Sequence, residues 1–490
     1  MDRQNACATL DACMATGKSL AHNFSIQLVG KVLSVLIGLI TVAIITRALG
    51  TYAFGEFTTA TTFLQMFATV VDFGLTLTLI VMISEAGVDE KRVVGNFFGL
   101  RLLSGFILFS LAPLTVLLFP WSDVVKQAVL VGALGYFLMG GATMLLGVFQ
   151  RHESMWRAAI AELVNRGVLL LLIIIFAITT PTVVTMMIAS VVANFVWLLL
   201  MIRFARPFVH VHPLFEWKSW KEIIARSWPI AVSIIFNLIY LKGDILFLAY
   251  FRDSSEVGLY GMSYRIIEVM TVLPVMFMGL VLPSLVASWS TGRKEEFRTR
   301  VGKTFDVFAM AVIPVVIGAQ LVSTELTILI AGEEFAPAGP VLELLVLALI
   351  GVFLGALYGH LIVAINRQRI MIWGYIAVAI ISIVGYLWLV PDYGMWGAVL
   401  VTLVSESLIA LITFTVVHRV TGSLPNLTVT LKSLIAGGVM YLALRALPES
   451  HVVIDLIVGA SVYAAMLLAL HAVTIKEIKS LLPHPGSHLR

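Results

Sequence analysis

The sequence has 490 residues, a formal net charge of +4 and a mean hydropathy of +1.01, and it is 60% hydrophobic but only 12% charged. Soluble proteins carry about 25% charged residues, so this composition excludes a string of soluble domains. The long continuous apolar runs exclude a transmembrane β-barrel, whose strands alternate apolar and polar residues. We therefore predict an all-α polytopic membrane protein.

The first 20 residues are mixed and polar, and they lack the apolar core and cleavage site of a signal peptide. We expect a cytoplasmic tail here, with the first membrane helix acting as the targeting signal. Cys7 and Cys13 have no histidine at zinc-ligand spacing. We interpret them as reduced thiols rather than as a metal or redox pair.

About fourteen apolar segments follow, each long enough to cross a bilayer as a helix of about 20 residues. Pro274, Pro283 and Pro314 are the expected kink points in the eighth and ninth helices. In chain order the predicted helices cover residues 23–46, 57–83, 96–119, 125–149, 156–180, 182–203, 227–250, 257–288, 303–330, 340–365, 370–390, 396–418, 428–447 and 452–473.

Loop charges predict the orientation. If the N-terminus is cytoplasmic, the inward loops hold most of the Lys and Arg, whereas outward loops carry acids such as Asp253 and Glu334. Positive loops stay in the cytoplasm, so we predict that both termini are cytoplasmic. The longest loop, near 203–226, is basic and aromatic, which favours an amphipathic segment at the membrane surface.

An internal repeat divides the chain. Ala53–Phe57 and Glu256–Tyr260 each place an outward glycine before an aromatic residue that opens the next helix. Helices one to six and seven to twelve therefore resemble two copies of one bundle, a layout of carriers that bind substrate between repeats. The predicted regions are an N-terminal tail (1–20), a six-helix bundle (21–204), an amphipathic linker (205–226), a second six-helix bundle (227–420), two peripheral helices (421–473) and a cytoplasmic C-terminal tail (474–490).

Several cations stand inside the apolar segments, where each costs roughly 3 kcal/mol on insertion scales. Such charges are tolerated where they face a wet cavity or a partner, and together they suggest an interior that receives an anion. Arg101 and Lys432 lie near predicted cytoplasmic helix ends, so their long side chains could extend to the interface. The six are Lys31, Arg101, Arg166, Lys242, Arg265 and Lys432.

Two of these cations have an acid within one helical turn. Glu162 precedes Arg166 by four residues, and Glu268 follows Arg265 by three. Residues at these spacings face one another on a helix, so each pair could neutralise itself.

Lys31 and Lys242 have no such local partner. Asp244 is two residues from Lys242 and points to roughly the opposite side, whereas Asp72 in helix two could reach Lys31. Glu406 stands in the middle of helix twelve with no local cation.

The buried cations form two sets at different depths in the membrane. The first bundle carries its cations in the cytoplasmic half and the second in the outer half, so a phosphate-bearing substrate could meet each set in turn. Mainly structural charge pairing remains the alternative. The candidate substrate cations are Lys31, Arg166, Lys242 and Arg265. The candidate coupling sites or counterions are Asp72, Asp244, Glu162, Glu268 and Glu406.

Catalytic and cofactor signatures are not evident in the sequence. We find no Gly-rich phosphate loop, zinc spacing or Ser-His-Asp arrangement, and His360 is interpreted as an ordinary interfacial residue. We predict neither an enzyme nor a nucleic-acid binder, with no metal and no cofactor.

The chain resembles the Wzx-type polysaccharide-biosynthesis flippases, or O-antigen transporters, whose superfamily includes the MATE exporters and the MurJ-type lipid II flippases. Each matching motif is weak alone, but their order and spacing are specific, and they extend over about residues 21–473. The motifs are Arg47–Gly50, Phe54–Phe57, Asp72–Leu75, Lys242–Leu246, Glu256–Tyr260, Tyr264–Arg265, Gly332–Phe335 and Asn366–Arg367.

The resemblance implies two pseudo-symmetric six-helix bundles plus two peripheral helices. It also implies transfer of undecaprenyl-diphosphate-linked oligosaccharide across the bacterial inner membrane by alternating access, with possible H⁺ or Na⁺ coupling and a polysaccharide polymerase or export machinery as partner. The polyprenyl tail would stay in membrane lipid. Lumen charges vary within the family, so the residues above rest on depth and pairing alone.

Other functions stay open. A MATE-type multidrug exporter is expected to have twelve helices and an acid in helix one, where this chain has Lys31. A MurJ-like lipid II flippase, a close cousin of the favoured family, is another alternative. A membrane polymerase or acyltransferase would need catalytic residues in outward loops that are short here.

Overall fold

The computed structural model describes residues 3–85, 87–209, 212–447 and 451–472, with side chains from Gly30 onward except Pro229 and Ser233. The predicted tail at 474–490 and the side chains of Cys7 and Cys13 therefore lie outside the described residues.

The described residues form sixteen α-helices and two short 3-10 helices, with no β-strand among them. In chain order the α-helices are α1 (Arg3–Asp72), α2 (Leu75–Ile83), α3 (Glu90–Thr115), α4 (Asp123–Met144), α5 (Leu146–Arg151), α6 (Met155–Thr179), α7 (Val183–Ala205), α8 (Trp217–Phe251), α9 (Ser254–Ser290), α10 (Lys294–Ala331), α11 (Ala338–Leu345), α12 (Ala348–Ala364), α13 (Gln368–Tyr393), α14 (Met395–Thr421), α15 (Thr428–Ala446) and α16 (Val452–Ala469).

Helix α1 contains two membrane crossings. Gly50 inside it has φ 73° and ψ 178°, a conformation that glycine adopts without steric cost and that breaks the helix. Gly30–Ile83 is one of thirteen candidate spans within the described residues and is 54 residues long, more than twice the length of one crossing. Counting it as two crossings gives fourteen, so the predicted all-α fold with about fourteen membrane helices is confirmed.

Some helix boundaries differ from the prediction. The predicted second helix breaks at Phe73 and Gly74, whose φ angles are 45° and 71°. The seventh begins at Trp217, well before the predicted residue 227, because Trp220, Ile223 and Ser227 recur at helical spacing and are all buried. These residues extend α8 beyond its apolar span, which starts at Ile230 in the described chain.

The two glycines that mark the internal repeat meet in space. A Cβ atom on Gly55 would lie 1.7 Å from the carbonyl oxygen of Ser254, and one on Gly258 would lie 2.1 Å from that of Thr51. Each glycine thus contacts the residue four positions before the other, a reciprocal arrangement typical of two-fold related elements. This contact supports the duplication inferred from the sequence.

The chain groups by packing into two compact units, residues 1–258 and 259–490. In the first unit α1 packs against α3, α4, α6 and α8, and α4 packs against α7. In the second unit α14 packs against α12 and α13. The predicted region boundaries stay a prediction, because a packing unit and a duplicated unit need not coincide.

The last two helices pack at the margin of the second unit. α15 lies against α10, and α16 lies against both α15 and α10. Gly437 permits this close approach, since a Cβ atom there would lie 2.5 Å from Cδ1 of Ile317. Small residues at such crossings let membrane helices pack backbone to backbone.

Candidate functional site

Lys31 forms an ion pair that joins α1 to α6. Its Nζ atom lies 3.3 Å from Oε1 of Glu162, and the Ser34 hydroxyl donates to the same oxygen at 2.9 Å. The Lys31 and Glu162 side chains are 43% and 31% exposed. The pair therefore borders open space and can be approached by a ligand.

Arg166 lies one turn beyond Glu162 on α6 and is half-buried. The predicted Glu162–Arg166 pair is wrong, because Glu162 pairs with Lys31 on another helix. Within the part of the chain that the structure describes, no ion pair joins Arg166 to an acid. Glu162 therefore compensates Lys31, and the three residues together carry a formal excess of one positive charge.

Asp72 pairs with Arg101, so the prediction that it partners Lys31 is wrong. Nη1 of Arg101 lies 3.0 Å from Oδ1 of Asp72, and its Nε donates to the carbonyl of Gly140 at 3.2 Å. The Thr76 hydroxyl also donates to Oδ1, at 2.7 Å. This network ties the end of α1 to α3 and α4.

The prediction that Arg101 extends to the interface is also wrong, since the residue is only 5% exposed. The error comes from the helix boundary. Helix α3 begins at Glu90 with Asp89 accepting from the N–H groups of Lys91 and Arg92, several residues before the predicted start. Arg101 therefore lies about three turns inside the helix. The sequence does contain a signal for this pair. In the Asp72–Gly74 motif an acid lies at a helix break inside the membrane segment, and such an acid needs a cation, here Arg101.

Three further candidates are buried on their helices. Lys242 and Asp244 on α8 are 8% and 0% exposed, and Glu406 on α14 is 6% exposed. Asp244 accepts a hydrogen bond from the N–H of Ile245 at 2.8 Å. Gly351 on α12 approaches the backbone of Glu406 so closely that a Cβ atom would lie 2.8 Å from its carbonyl carbon. Their transport roles stay predictions.

Arg265 and Glu268 form the local pair that their spacing predicts. Nη1 of Arg265 lies 2.9 Å from Oε2 of Glu268 on α9, and both side chains are half-buried. Lys432 on α15 donates instead to the carbonyl of His471 at 3.1 Å, at an exposed position after α16. The Arg265 pair, like that of Lys31, remains open to a competing anion.

The segment before α8 is anchored on α3. The N–H of Leu214 donates to the carbonyl of Gly95 at 2.9 Å, and the Trp220 indole donates to the carbonyl of Asn96 at 3.0 Å. Hydrogen bonds from Ser219 and from Arg92 lower the pKa of the Glu216 carboxyl. The predicted linker is therefore held against α3 by hydrogen bonds.

The second unit also has an apolar groove of about 430 Å³ between α9, α10, α15 and α16. Its lining includes Met270, Pro314, Val322, Leu444 and Leu456. A lining of this kind suits a hydrocarbon chain.

A family model described as "Polysaccharide biosynthesis protein" matches residues 20–289, more than half of the chain. Two similar curated proteins come from Haloferax volcanii. The probable flippase AglR is 24% identical over 251 residues, covering 49% of this chain and 52% of AglR, so the match spans about half of that protein. The probable low-salt glycan biosynthesis flippase Agl15 is 21% identical over 376 residues, covering 73% of this chain and 75% of that protein.

Solved structures share the fold. The lipid II flippase MurJ in an inward closed conformation has a TM-score of 0.72 at 13% identity, covering 90% of this chain and 97% of MurJ. An inward-facing MATE multidrug transporter has a TM-score of 0.66 at 15% identity, covering 81% and 98%. At these identities the likeness shows the fold alone. Because the family model matches more than half of the chain, this multi-pass membrane protein belongs to the polysaccharide biosynthesis protein family.

Proposed function

We propose that this protein is a flippase for undecaprenyl-diphosphate-linked oligosaccharide. It moves repeat units from the cytoplasmic to the periplasmic leaflet of the bacterial inner membrane by alternating access, for O-antigen lipopolysaccharide, exopolysaccharide or capsule. Family membership and the glycan flippases among its relatives support this proposal. The single observation that carries it is the Lys31–Glu162 ion pair between two membrane segments, with Arg166 one helical turn beyond Glu162 on α6. We refer to these three residues as the cluster.

The cluster can bind a diphosphate by exchange of partners. Glu162 holds Lys31 while the site is empty, and an entering diphosphate takes over Lys31 and adds Arg166. A guanidinium binds phosphate oxygens in a bidentate manner, and an ammonium supplies a compact charge. In the loaded site both cations therefore have an anionic partner, and the released Glu162 carboxylate keeps access to solvent because its side chain is 31% exposed.

Lys242 and Arg265 form the second set of cations in this proposal. Arg265 is held by Glu268 as Lys31 is held by Glu162, so the same exchange of carboxylate for diphosphate can occur there. The sugar passes with the diphosphate, and the polyprenyl tail stays in lipid. The protein performs no covalent chemistry in this scheme.

The acids serve as counterions or as sites for a coupling H⁺ or Na⁺. Glu162, Glu268 and Asp72 hold cations in this structure and act as counterions. Asp244 and Glu406 are the most deeply buried candidates for coupling. A polysaccharide polymerase or export complex in the same membrane would use the translocated product.

The test replaces Lys31 and Lys242 singly by Ala in a strain that lacks its own copy of the gene. We expect each variant to insert normally but to cut surface polysaccharide at least about tenfold, equivalent to about 1.4 kcal/mol of lost binding. Lys432→Ala, outside the proposed cation sets, is the matched control and should export normally. Full export by both lysine variants would overturn the role of the cations.

The shared fold also admits two other cargoes, which the same strain can distinguish. Rescue of a lipid II transport defect would indicate a MurJ-like flippase, and drug resistance without polysaccharide export would indicate a MATE-type exporter. Either result in place of restored polysaccharide export would contradict the proposed substrate.

A further inference from the structure

The first part of α8 extends beyond its membrane span and has three distinct faces. The helix begins at Trp217, whereas its apolar span within the described chain begins at Ile230. An α-helix turns about 100° per residue, so positions three, four, seven or eleven apart lie close to one side. Trp220, Ile223 and Ser227 share one such side and are 6%, 1% and 0% exposed. This side is the packed face of the segment.

Hydrogen bonds hold the packed face in place. The Trp220 indole donates to the carbonyl of Asn96 on α3 at 3.0 Å, and the Ser227 hydroxyl donates to that of Thr78 on α2 at 2.9 Å. Asn96 lies in the second turn of α3, and Thr78 lies in the second half of α2. Both positions are close to the ends of candidate membrane spans, so the segment lies at the depth of the membrane surface.

A second face of the segment is occupied by ion pairs. Arg226 contacts both Glu85 and Glu222, and its Nη2 atom is 2.7 Å from Oε1 of Glu222. Nε of Arg92 on α3 lies 2.9 Å from Oε2 of Glu216, the residue before the helix. Acids of the protein itself therefore compensate both arginines.

The third face is an exposed apolar stripe of Trp217, Ile224 and Trp228, here called the α8 stripe. These side chains are 65%, 40% and 54% exposed, and their spacing keeps them within about 40° of one another around the helix. Exposed apolar patches mark contacts with a membrane or another protein. Trp228 is two residues from the membrane span, and tryptophan is enriched at the level of lipid headgroups. A bilayer is therefore the partner that the stripe fits.

Two lysines border the α8 stripe. The ammonium group of Lys221 lies 5.7 Å from the centre of the Trp217 ring, and Lys218 follows Trp217 in an exposed position. Glu222, one turn after Lys218, pairs with Arg226. Within the part of the chain that the structure describes, no ion pair includes either lysine. The stripe therefore carries two positive charges that no described acid compensates.

We propose that the α8 stripe is a binding surface for anionic phospholipid. Lys218 and Lys221 contact the phosphate of a headgroup such as phosphatidylglycerol, and the stripe enters the boundary between headgroups and acyl chains. A zwitterionic headgroup is a poorer match, because its own ammonium group offsets the phosphate charge. The bound lipid is not the transported substrate, so this surface does not depend on the proposed transport function.

Quenching by brominated lipids in nanodiscs tests this surface in the full-length protein. With Cys7 and Cys13 replaced by Ser, Ile224→Cys carries a fluorescent label. The nanodiscs contain equal amounts of phosphatidylglycerol and phosphatidylcholine, with bromine on one lipid or on the other. We expect brominated phosphatidylglycerol to quench at least about twofold more, because the lysines concentrate anionic lipid beside the label. Leu118→Cys is the control, since Leu118 is exposed and has no charged residue within four positions, and both lipids should quench it equally.

Charge variants identify the lysines. Lys218→Gln with Lys221→Gln should remove the excess quenching of the label at residue 224. Lys294→Gln with Lys303→Gln removes the same charge from exposed positions on α10, so the excess should remain. Inorganic phosphate added at constant ionic strength should also leave the excess unchanged, because the ligand is a headgroup held in the bilayer.

Equal quenching of the label at residue 224 by the two brominated lipids would overturn the proposal, and this comparison needs no lysine variant. An excess that persists in the Lys218 and Lys221 double variant would also reject it. Absence of quenching by either lipid would mean that a protein, a second copy or another partner, covers the stripe. Loss of the excess in inorganic phosphate would identify a free phosphate ion as the ligand. Each of these results contradicts a lipid surface.

Discussion

At the scale of single residues, charges inside the membrane segments are compensated mainly across helices. Lys31 and Glu162 are 131 positions apart in the chain, and Arg101 and Asp72 are 29 apart. An intramembrane charge is costly alone, so folding brings each to whichever opposite charge the packing places nearby. The Lys31 side chain is 43% exposed, whereas that of Arg101 is 6% exposed. We therefore expect the Lys31 pair to exchange partners and the Arg101 pair to stabilise the fold.

The buried pair predicts a large loss of stability. Arg101→Met leaves Asp72 with the hydroxyl of Thr76 but without a cation. Because the Asp72 side chain is 27% exposed, the loss should lie at or below the roughly 3–5 kcal/mol that removing one partner of a fully buried ion pair costs. We expect a clear fall in the thermal unfolding midpoint of the purified protein, measured by size-exclusion chromatography after heating.

The control is the double variant Asp72→Asn with Arg101→Met. Because no charge is left unpaired, it should recover much of the stability lost by Arg101→Met. A double variant as unstable as the single one would show that Arg101 acts through packing alone.

At the scale of helices, glycine decides where two helices can touch. Gly55 and Gly258 allow the start of α9 to cross α1 with direct backbone contact. Gly50 breaks α1 with a conformation that other residues adopt only with strain. In the first repeat, Gly50 alone therefore makes the turn between two membrane helices. In the second repeat, Arg252 and Asp253 join α8 to α9 at the corresponding position.

Adding a methyl group at this crossing should separate the helices. In Gly55→Ala the new Cβ would lie 1.7 Å from the carbonyl oxygen of Ser254, and such overpacking costs about 1–3 kcal/mol or more. We expect a lower unfolding midpoint for this variant in detergent.

Gly38→Ala is the matched control on the same helix. A Cβ atom there meets nothing within 4 Å, and Ala favours a helix over Gly by up to about 1 kcal/mol. Its midpoint should be unchanged or higher. Equal losses for Gly38→Ala and Gly55→Ala would mean that the crossing is not the cause.

At the scale of the whole molecule, orientation in the membrane is set by loop charge. Helix α9 offers a direct test, because the exposed residues Asp253 and Thr291 flank its two ends. The prediction of cytoplasmic termini places Asp253 on the outer side of the membrane and Thr291 in the cytoplasm.

Cysteine labelling measures this orientation. With Cys7 and Cys13 replaced by Ser, a membrane-impermeant maleimide should label Asp253→Cys in intact spheroplasts and Thr291→Cys only after lysis. Labelling of Thr291→Cys before lysis would contradict the predicted orientation.

Much of the helical fold could be predicted from the sequence because it follows from composition. Apolar runs of about 20 residues give the number of crossings, and the matched Gly55 and Gly258 motifs indicate the repeat. Helix ends were harder, since α3 starts at its Asp89 cap and α8 at Trp217, both in polar segments outside the apolar runs. The misplaced start of α3 made Arg101 look interfacial.

The sequence alone determined the membrane class, the fourteen crossings, the local Arg265–Glu268 pair and the family resemblance, because each depends on residues close together in the chain. The tertiary structure decided which distant charges pair, as Lys31 with Glu162 and Asp72 with Arg101. It also decided where helices touch through their backbones, as at Gly55 and Ser254. Such contacts depend on how helices far apart in sequence pack, and hydropathy and spacing carry no information about that packing.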